Sequence, residues 1–324
     1  MGSLKITLVT VFILSCKLSQ LSASEGDRLY IYKDCLKRCI SRNCDENGLL
    51  FRQNTTIQQD FWCRLFSWRC IDECKYHCMW SAVKKLENAG RQVVKFHGKW
   101  PFKRIMGMQE PASVFASLLN LLANAYMYSK LRTEFSIKSR PMVLLWHLFA
   151  LVCMNAWVWS MVFHTRDTPF TEFMDYTCAL SMVMGLYVAA VVRILHSQKK
   201  IVATLLTGSL LYFATHVRLL ATGVVDYDYN MTVNVIFGAV GSFIWLVYAG
   251  YLSARGSRYS SRMLWFVTCS AVVLPLELLD FPPVRRAWDA HAVWHLSTAP
   301  LPLLFYQFVI EDLRYTQSRQ DKLL

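Results

Sequence analysis

Seven long apolar stretches alternate with short polar segments along most of this 324-residue chain. They cover residues 112–129, 141–163, 174–195, 201–221, 232–252, 262–280 and 290–310. A helix rises about 1.5 Å per residue, so about 20 residues cross the roughly 30 Å of hydrocarbon in a bilayer. The pattern predicts an all-α membrane protein in which residues 111–312 form a bundle of seven transmembrane helices.

A shorter apolar segment opens the chain. Lys5 precedes an apolar run over residues 6–14, and the small residues Ser22, Ala23 and Ser24 follow it. This order is typical of a cleaved signal peptide, here residues 1–24, and the alternative is an uncleaved anchor helix. Either one delivers the segment behind it to the lumen of the secretory pathway.

Cysteine is concentrated in that next segment, residues 25–110. Seven of the eleven cysteines lie there: Cys35, Cys39, Cys44, Cys63, Cys70, Cys74 and Cys78. Dense cysteine behind a signal peptide predicts a disulfide framework, and hence a Cys-rich lumenal domain. Asn54 begins a glycosylation sequon in the same segment. One alternative stays open, in which Cys70, Cys74 and Cys78 hold zinc beside His77.

Charge fixes a predicted orientation. The net charge of +13 does not indicate nucleic-acid binding, because apolar runs of bilayer length separate the basic residues. Basic residues instead crowd the loops after the first, third and fifth apolar stretches, and the tail 313–324. Since such loops stay on the cytosolic side, the N-terminus is predicted to be lumenal and the tail cytosolic.

Ionisable residues at membrane depth are costly to bury and mark candidate sites. His291 and His295 are four residues apart, so both imidazoles project from one face of a helix, as in helices that supply two ligands to one metal. Ser160 and His164 have the same spacing, and Asp175 begins the next helix at the same depth. Three imidazoles with a fourth position for water is a catalytic zinc arrangement; the alternative is a set of solvated interfacial histidines.

These five residues resemble the signature of the CREST superfamily of seven-helix membrane hydrolases. Longer segments narrow the resemblance to its GPI fatty-acid-remodelling family: HGKWPF at 97–102, FHTRD at 163–167, MDY at 174–176, LLDFPP at 278–283 and DAH at 289–291.

The resemblance implies a Golgi phospholipase A2 that removes the sn-2 acyl chain from GPI-anchored proteins, its partners in the membrane. It also implies that His164, His291 and His295 bind Zn²⁺, with Ser160 and Asp175 beside the zinc-bound water. Cys63 is an addition to the family's six cysteines, which makes the disulfide candidates Cys35, Cys39, Cys44, Cys70, Cys74 and Cys78.

Two other functions stay open at this point. The predicted topology also fits a seven-helix receptor with an extracytoplasmic Cys-rich domain, and a non-catalytic sorting or folding factor for GPI-anchored proteins fits the same resemblance. The C-terminal sequence has a single lysine, Lys322, where a dilysine retrieval signal needs two, which favours the Golgi over the endoplasmic reticulum.

Overall fold

The computed structural model describes residues 24–136, 141–223 and 227–321. The predicted signal peptide lies outside this range except for its last residue. Regular structure in the described residues is helical, and extended chain occurs there only as isolated bridges. Two compact units are present, one of residues 24–101 and 227–231, the other of residues 102–223 and 232–321. The predicted all-α class is confirmed.

The N-terminal unit is built on two helices. Helix α1 (Glu25–Arg28) leads into α2 (Tyr30–Asn43), and α3 (Phe61–Leu65) precedes α4 (Cys70–Asn88). Cysteines four residues apart lie on one face of a helix, so α2 and α4 can face each other through their sulfurs.

Three disulfides join α4 to α2 and to Cys44, the residue that follows α2. They are Cys35–Cys78, Cys39–Cys74 and Cys44–Cys70, with Cα–Cα distances of 5.6, 5.7 and 5.5 Å. The predicted framework is therefore confirmed, with all six candidate cysteines in it. The alternative zinc site is wrong, because each of its three thiols is used in a disulfide. Cys63 is buried in α3 and lies outside the three bridges, as predicted.

The predicted glycosylation site lies on the loop between α2 and α3. Asn54 is exposed in a turn, where an oligosaccharide has room. The two threonines that follow it donate hydrogen bonds from Oγ1 to Asn43 Oδ1, Thr55 at 3.1 Å and Thr56 at 3.0 Å. Glycosylation of Asn54 stays a prediction.

The second unit is a bundle of long helices. In chain order they are α5 (Pro111–Glu134), α6 (Pro141–Thr165), α7 (Pro169–Ile194), α8 (Lys199–Leu220), α9 (Tyr227–Ala254), α10 (Ser260–Leu278), α11 (Ala290–Thr298) and α12 (Leu301–Asp321). Helix α5 packs against α6, α11 and α12, while α6 packs against α7 and α10 packs against α11 and α12. The N-terminal residues of α9 belong to the first unit.

Six spans in the described residues are long and apolar enough to cross a membrane, with α11 and α12 together forming the sixth. Helix α5 is long enough but less apolar, because Ser113, Ser117, Asn120 and Asn124 recur along one face. All four are buried, so the polar face points into the bundle. With α5 as the seventh helix, the predicted seven-helix bundle with a Cys-rich N-terminal region is confirmed.

Several predicted helix limits differ from the structure. Helix α7 begins at Pro169 and not at residue 174, because the Thr168 side chain caps it and proline is favoured in a first turn. The predicted helix 290–310 is divided between α11 and α12, because Pro300 has no N–H to continue the helix. Helix α12 also continues to Asp321, through most of the segment predicted as a tail.

The largest apolar cluster lies where α5, α6, α7, α9, α10 and α12 meet. Trp146 and Trp245 are its centre, and Phe305 contacts both rings at centroid distances of 5.7 and 6.4 Å. A buried ion pair borders the cluster, in which Arg193 donates two hydrogen bonds to Asp312, from Nε at 2.6 Å and from Nη2 at 3.0 Å. The ion pair holds α12 against α7 at one end of the bundle. The histidines described below lie at the other end.

Candidate metal centre

Three imidazoles meet at one end of the bundle. His164 lies in the last turn of α6, and His291 and His295 lie one turn apart in α11. His291 Nε2 is 3.4 Å from His164 Nε2 and 2.8 Å from His295 Nε2. The ligand atoms of the three rings all lie within 4.8 Å of one another, so the structure brings the predicted ligands together.

Carboxylates hydrogen-bond two of the rings at Nδ1, the nitrogen that faces away from the shared centre. Glu110, just before α5, accepts a hydrogen bond from His164 Nδ1 at 2.7 Å, and Glu277, in the last turn of α10, accepts one from His291 Nδ1 at 2.6 Å. A proton on Nδ1 leaves the Nε2 lone pair free to bind a metal, which is the usual role of a carboxylate behind a ligating histidine. Both Nε2 atoms point to the shared centre.

The backbone reinforces the first of these pairs. The Glu110 N–H donates to the His164 carbonyl at 3.0 Å, so the two residues are joined through both main chain and side chain. The His164 side chain is 2% exposed and that of Glu110 is 7% exposed. The His291 side chain is 33% exposed, which makes it the open side of the centre.

Helix α11 is fixed at its start by Asp289. Its Oδ1 accepts the Ala292 N–H at 2.9 Å, a cap that sets the direction in which His291 and His295 project. Burial raises the pKa of the Asp289 carboxyl above its usual range.

Ser160 lies one turn before His164 and is buried. Its hydroxyl is 3.1 Å from that of Ser117 on α5, and either oxygen can donate to the other. Asp175 lies in α7 and is partly buried. Glu110 and Glu277 hydrogen-bond the ligand rings. Catalytic roles for Ser160 and Asp175 stay predictions.

The donor set fits a zinc ion. Zinc binds imidazole nitrogen at about 2.0–2.1 Å, which separates two tetrahedral ligands by about 3.3 Å. The His164–His291 separation of 3.4 Å matches that value, while the 2.8 Å between His291 and His295 is a closer approach. Two carboxylates behind the rings also offset the charge of a divalent cation in a buried place.

Fold and site together define a class: a multi-pass membrane protein with a three-histidine centre at one end of its helix bundle, able to hold a metal ion.

Comparison with known proteins identifies the family. The chain matches the Per1-like family over residues 61–313. It is 39% identical over 309 residues to post-GPI attachment to proteins factor 3 of Drosophila melanogaster, covering 94% of each chain. It is 40% identical over 303 residues to the human GPI-specific phospholipase A2-like PGAP3, covering 93% of each chain. The Xenopus laevis protein of the same name is 41% identical over 299 residues, covering 91% of this chain and 92% of its own.

The chain belongs to the Per1-like family. The resemblance to the GPI fatty-acid-remodelling proteins, which include post-GPI attachment to proteins factor 3, is thereby confirmed. No solved structure matches the chain.

Proposed function

We propose that the protein is a zinc-dependent phospholipase A2-type hydrolase that removes the sn-2 acyl chain of GPI-anchored proteins. The observation that carries the proposal is the convergence of three imidazole Nε2 atoms with carboxylates behind two of them. Relatives named GPI-specific phospholipase A2-like support the substrate class and the reaction.

The position of the centre suits an acyl ester. His164 is near the end of α6 and His291 is near the start of α11, so both lie close to helix ends. The ends of membrane-spanning helices lie near the bilayer interface. The ester of an anchored lipid lies at that boundary between head groups and acyl chains. An ester approaching from the half-exposed His291 side meets the open face of the centre, because the other two imidazoles are buried.

Each side chain then has a definite task. His164, His291 and His295 would hold the zinc ion, which would supply Lewis acidity toward water and an ester carbonyl. Glu110 and Glu277 keep the Nδ1 protons in place so that His164 and His291 offer Nε2. Asp175 accepts the proton that water loses on attack and returns it to the sn-2 oxygen as the ester C–O bond breaks, which releases the fatty acid and the alcohol of the lipid. Ser160 donates a hydrogen bond to the carbonyl oxygen as negative charge develops there.

The cellular setting follows from charge and from the disulfides. Basic loops place the tail in the cytosol and the N-terminal unit in the lumen. Three disulfides require an oxidising compartment, which supports the lumenal side for that unit. We place the protein in the Golgi membrane with its centre at the lumenal leaflet, where GPI-anchored proteins are exposed.

The test is release of free fatty acid from a GPI-anchored protein with an unsaturated sn-2 chain, measured by mass spectrometry with purified full-length protein in liposomes. Release should stop on chelation, return with zinc, and be lost in His164→Ala and His291→Ala. His147→Ala is the matched control, because this imidazole is as buried as that of His164 and its Nε2 bonds the Phe135 carbonyl, away from the centre.

Asp175→Asn separates catalysis from a non-catalytic role. We expect this variant to keep its metal and lose fatty-acid release. Full release in both histidine variants would overturn the enzyme assignment. Undiminished remodelling in cells that carry Asp175→Asn would favour the sorting or folding factor.

A further inference from the structure

The helix that carries the third imidazole is interrupted just after it. Helix α11 ends at Thr298, and Pro300 has no N–H. In a continuous helix the His295 carbonyl would accept the N–H of residue 299. Here the Ala299 N–H donates to the Leu296 carbonyl at 3.3 Å instead. The His295 carbonyl therefore lacks its helical donor at a buried position, where an unpaired carbonyl is costly.

Asn120 of α5 supplies the missing donor. Its Nδ2 donates to the His295 carbonyl at 2.7 Å and to the Ala116 carbonyl at 3.0 Å, which uses both amide protons. The Thr298 hydroxyl of α11 also donates to the His295 carbonyl, at 2.9 Å, and lies 3.3 Å from Asn120 Oδ1. Asn120 is therefore the donor that reaches this carbonyl from another helix. Asn120 is 0% exposed, so its amide hydrogen-bonds groups inside the bundle and not solvent.

The ring of His295 is held differently from the other two. In the part of the chain that the structure describes, its buried Nδ1 has no hydrogen-bond partner, whereas those of His164 and His291 each have a carboxylate. The ring packs between two indoles, with centroids 5.3 Å from Trp157 and 4.9 Å from Trp294. His295 is thus held by hydrogen bonds to its main-chain carbonyl and not to its ring Nδ1.

We propose that Asn120 is a positioning residue for the metal centre, which fixes His295 through its backbone as Glu110 fixes His164 through its ring. The inference rests on the metal site of the proposed function and adds a residue to it. Without the amide, the last turn of α11 loses its hydrogen bond to α5, and the His295 imidazole moves away from those of His164 and His291.

Asn124 provides a matched control on the same helix. It is also buried, at 3% exposed, and its Nδ2 donates to the Asn120 carbonyl at 2.9 Å, within α5 itself. It has the same chemistry and burial but no bond to α11 among the contacts described here. Replacing it tests the effect of losing a buried amide from α5 as such.

The experiment uses full-length protein in detergent, stripped of metal and titrated with Co²⁺. Asn120→Leu and Asn124→Leu keep a side chain branched at Cγ and remove the amide, and thermal unfolding shows whether each is folded. We expect Asn120→Leu to bind Co²⁺ about 10- to 100-fold more weakly, with an altered visible spectrum. Asn124→Leu should match wild type in both readouts.

The outcomes separate the inference from the proposed function. Unchanged Co²⁺ affinity and spectrum in Asn120→Leu, or an equal loss in Asn124→Leu, would overturn the role of Asn120 and leave the metal site standing. Failure of the wild-type protein to bind Co²⁺ at all would overturn the metal site, and the role of Asn120 with it.

Discussion

Replacing Glu110 by glutamine tests how the centre is held. Glutamine keeps the length of the side chain and an oxygen to accept the His164 Nδ1–H, but it removes the charge. A hydrogen bond to a charged group contributes about 1.5–3 kcal/mol and a neutral one about 1 kcal/mol. The difference, about 0.5–2 kcal/mol, corresponds to zinc binding that is about 2- to 30-fold weaker.

The same change at Glu277 should have a smaller effect. The His164–Glu110 pair is almost fully buried, with side chains 2% and 7% exposed, whereas the His291 side chain of the second pair is 33% exposed. Water screens the second pair more, so Glu277→Gln is expected to weaken zinc binding only a few-fold. Both pairs consist of a histidine and a glutamate, so the larger effect at Glu110 is predicted from the difference in burial alone.

The assay is competition for zinc between the purified protein and a chromophoric chelator. Glu311→Gln, which removes a negative charge from a half-exposed ion pair remote from the centre, controls for net charge. Wild-type zinc affinity in Glu110→Gln, or a greater loss in Glu277→Gln than in Glu110→Gln, would refute the proposed role of these carboxylates.

Three further changes test the fold. Asp312→Asn breaks a buried ion pair, which costs about 3–5 kcal/mol, and should lower the melting temperature in detergent; Glu311→Gln, in a half-exposed pair, should barely change it. Cys39→Ser opens one of the three disulfides and should lower the unfolding free energy of the N-terminal unit by about 2–5 kcal/mol, measured as faster proteolysis of that unit. Cys63→Ser, outside the three bridges, should leave the rate of proteolysis near that of wild type. Asn54→Gln should abolish a glycosidase-sensitive shift in electrophoretic mobility, and a shift that persists would place the glycan elsewhere.

Local spacing accounts for what the sequence predicts well. An apolar run long enough for a bilayer is visible in one dimension, and so is a pair of histidines four residues apart. Both disulfide-bearing helices also carry cysteines at that spacing, which is why the framework could be expected. Their pairing could not, because it depends on α2 and α4 running in opposite directions.

Residues behind the ligands are harder to predict, because they are distant in the chain. Glu110 is 54 residues from His164 and Asn120 is 175 residues from His295. The polar residues at this end of the bundle, Glu110, Asn120 and Glu277 among them, can be noted in the sequence, but not which ring or carbonyl each one meets. A signal was present for the break between α11 and α12, since Pro300 cannot continue a helix.

X-ray absorption at the zinc edge, on purified wild-type protein, tests the central claim most directly. We expect one zinc ion per chain with three imidazole nitrogens and one further oxygen or nitrogen at about 2.0–2.1 Å. Sulfur scattering at about 2.3 Å, or a folded and active protein that holds no zinc, would contradict a centre built from His164, His291 and His295.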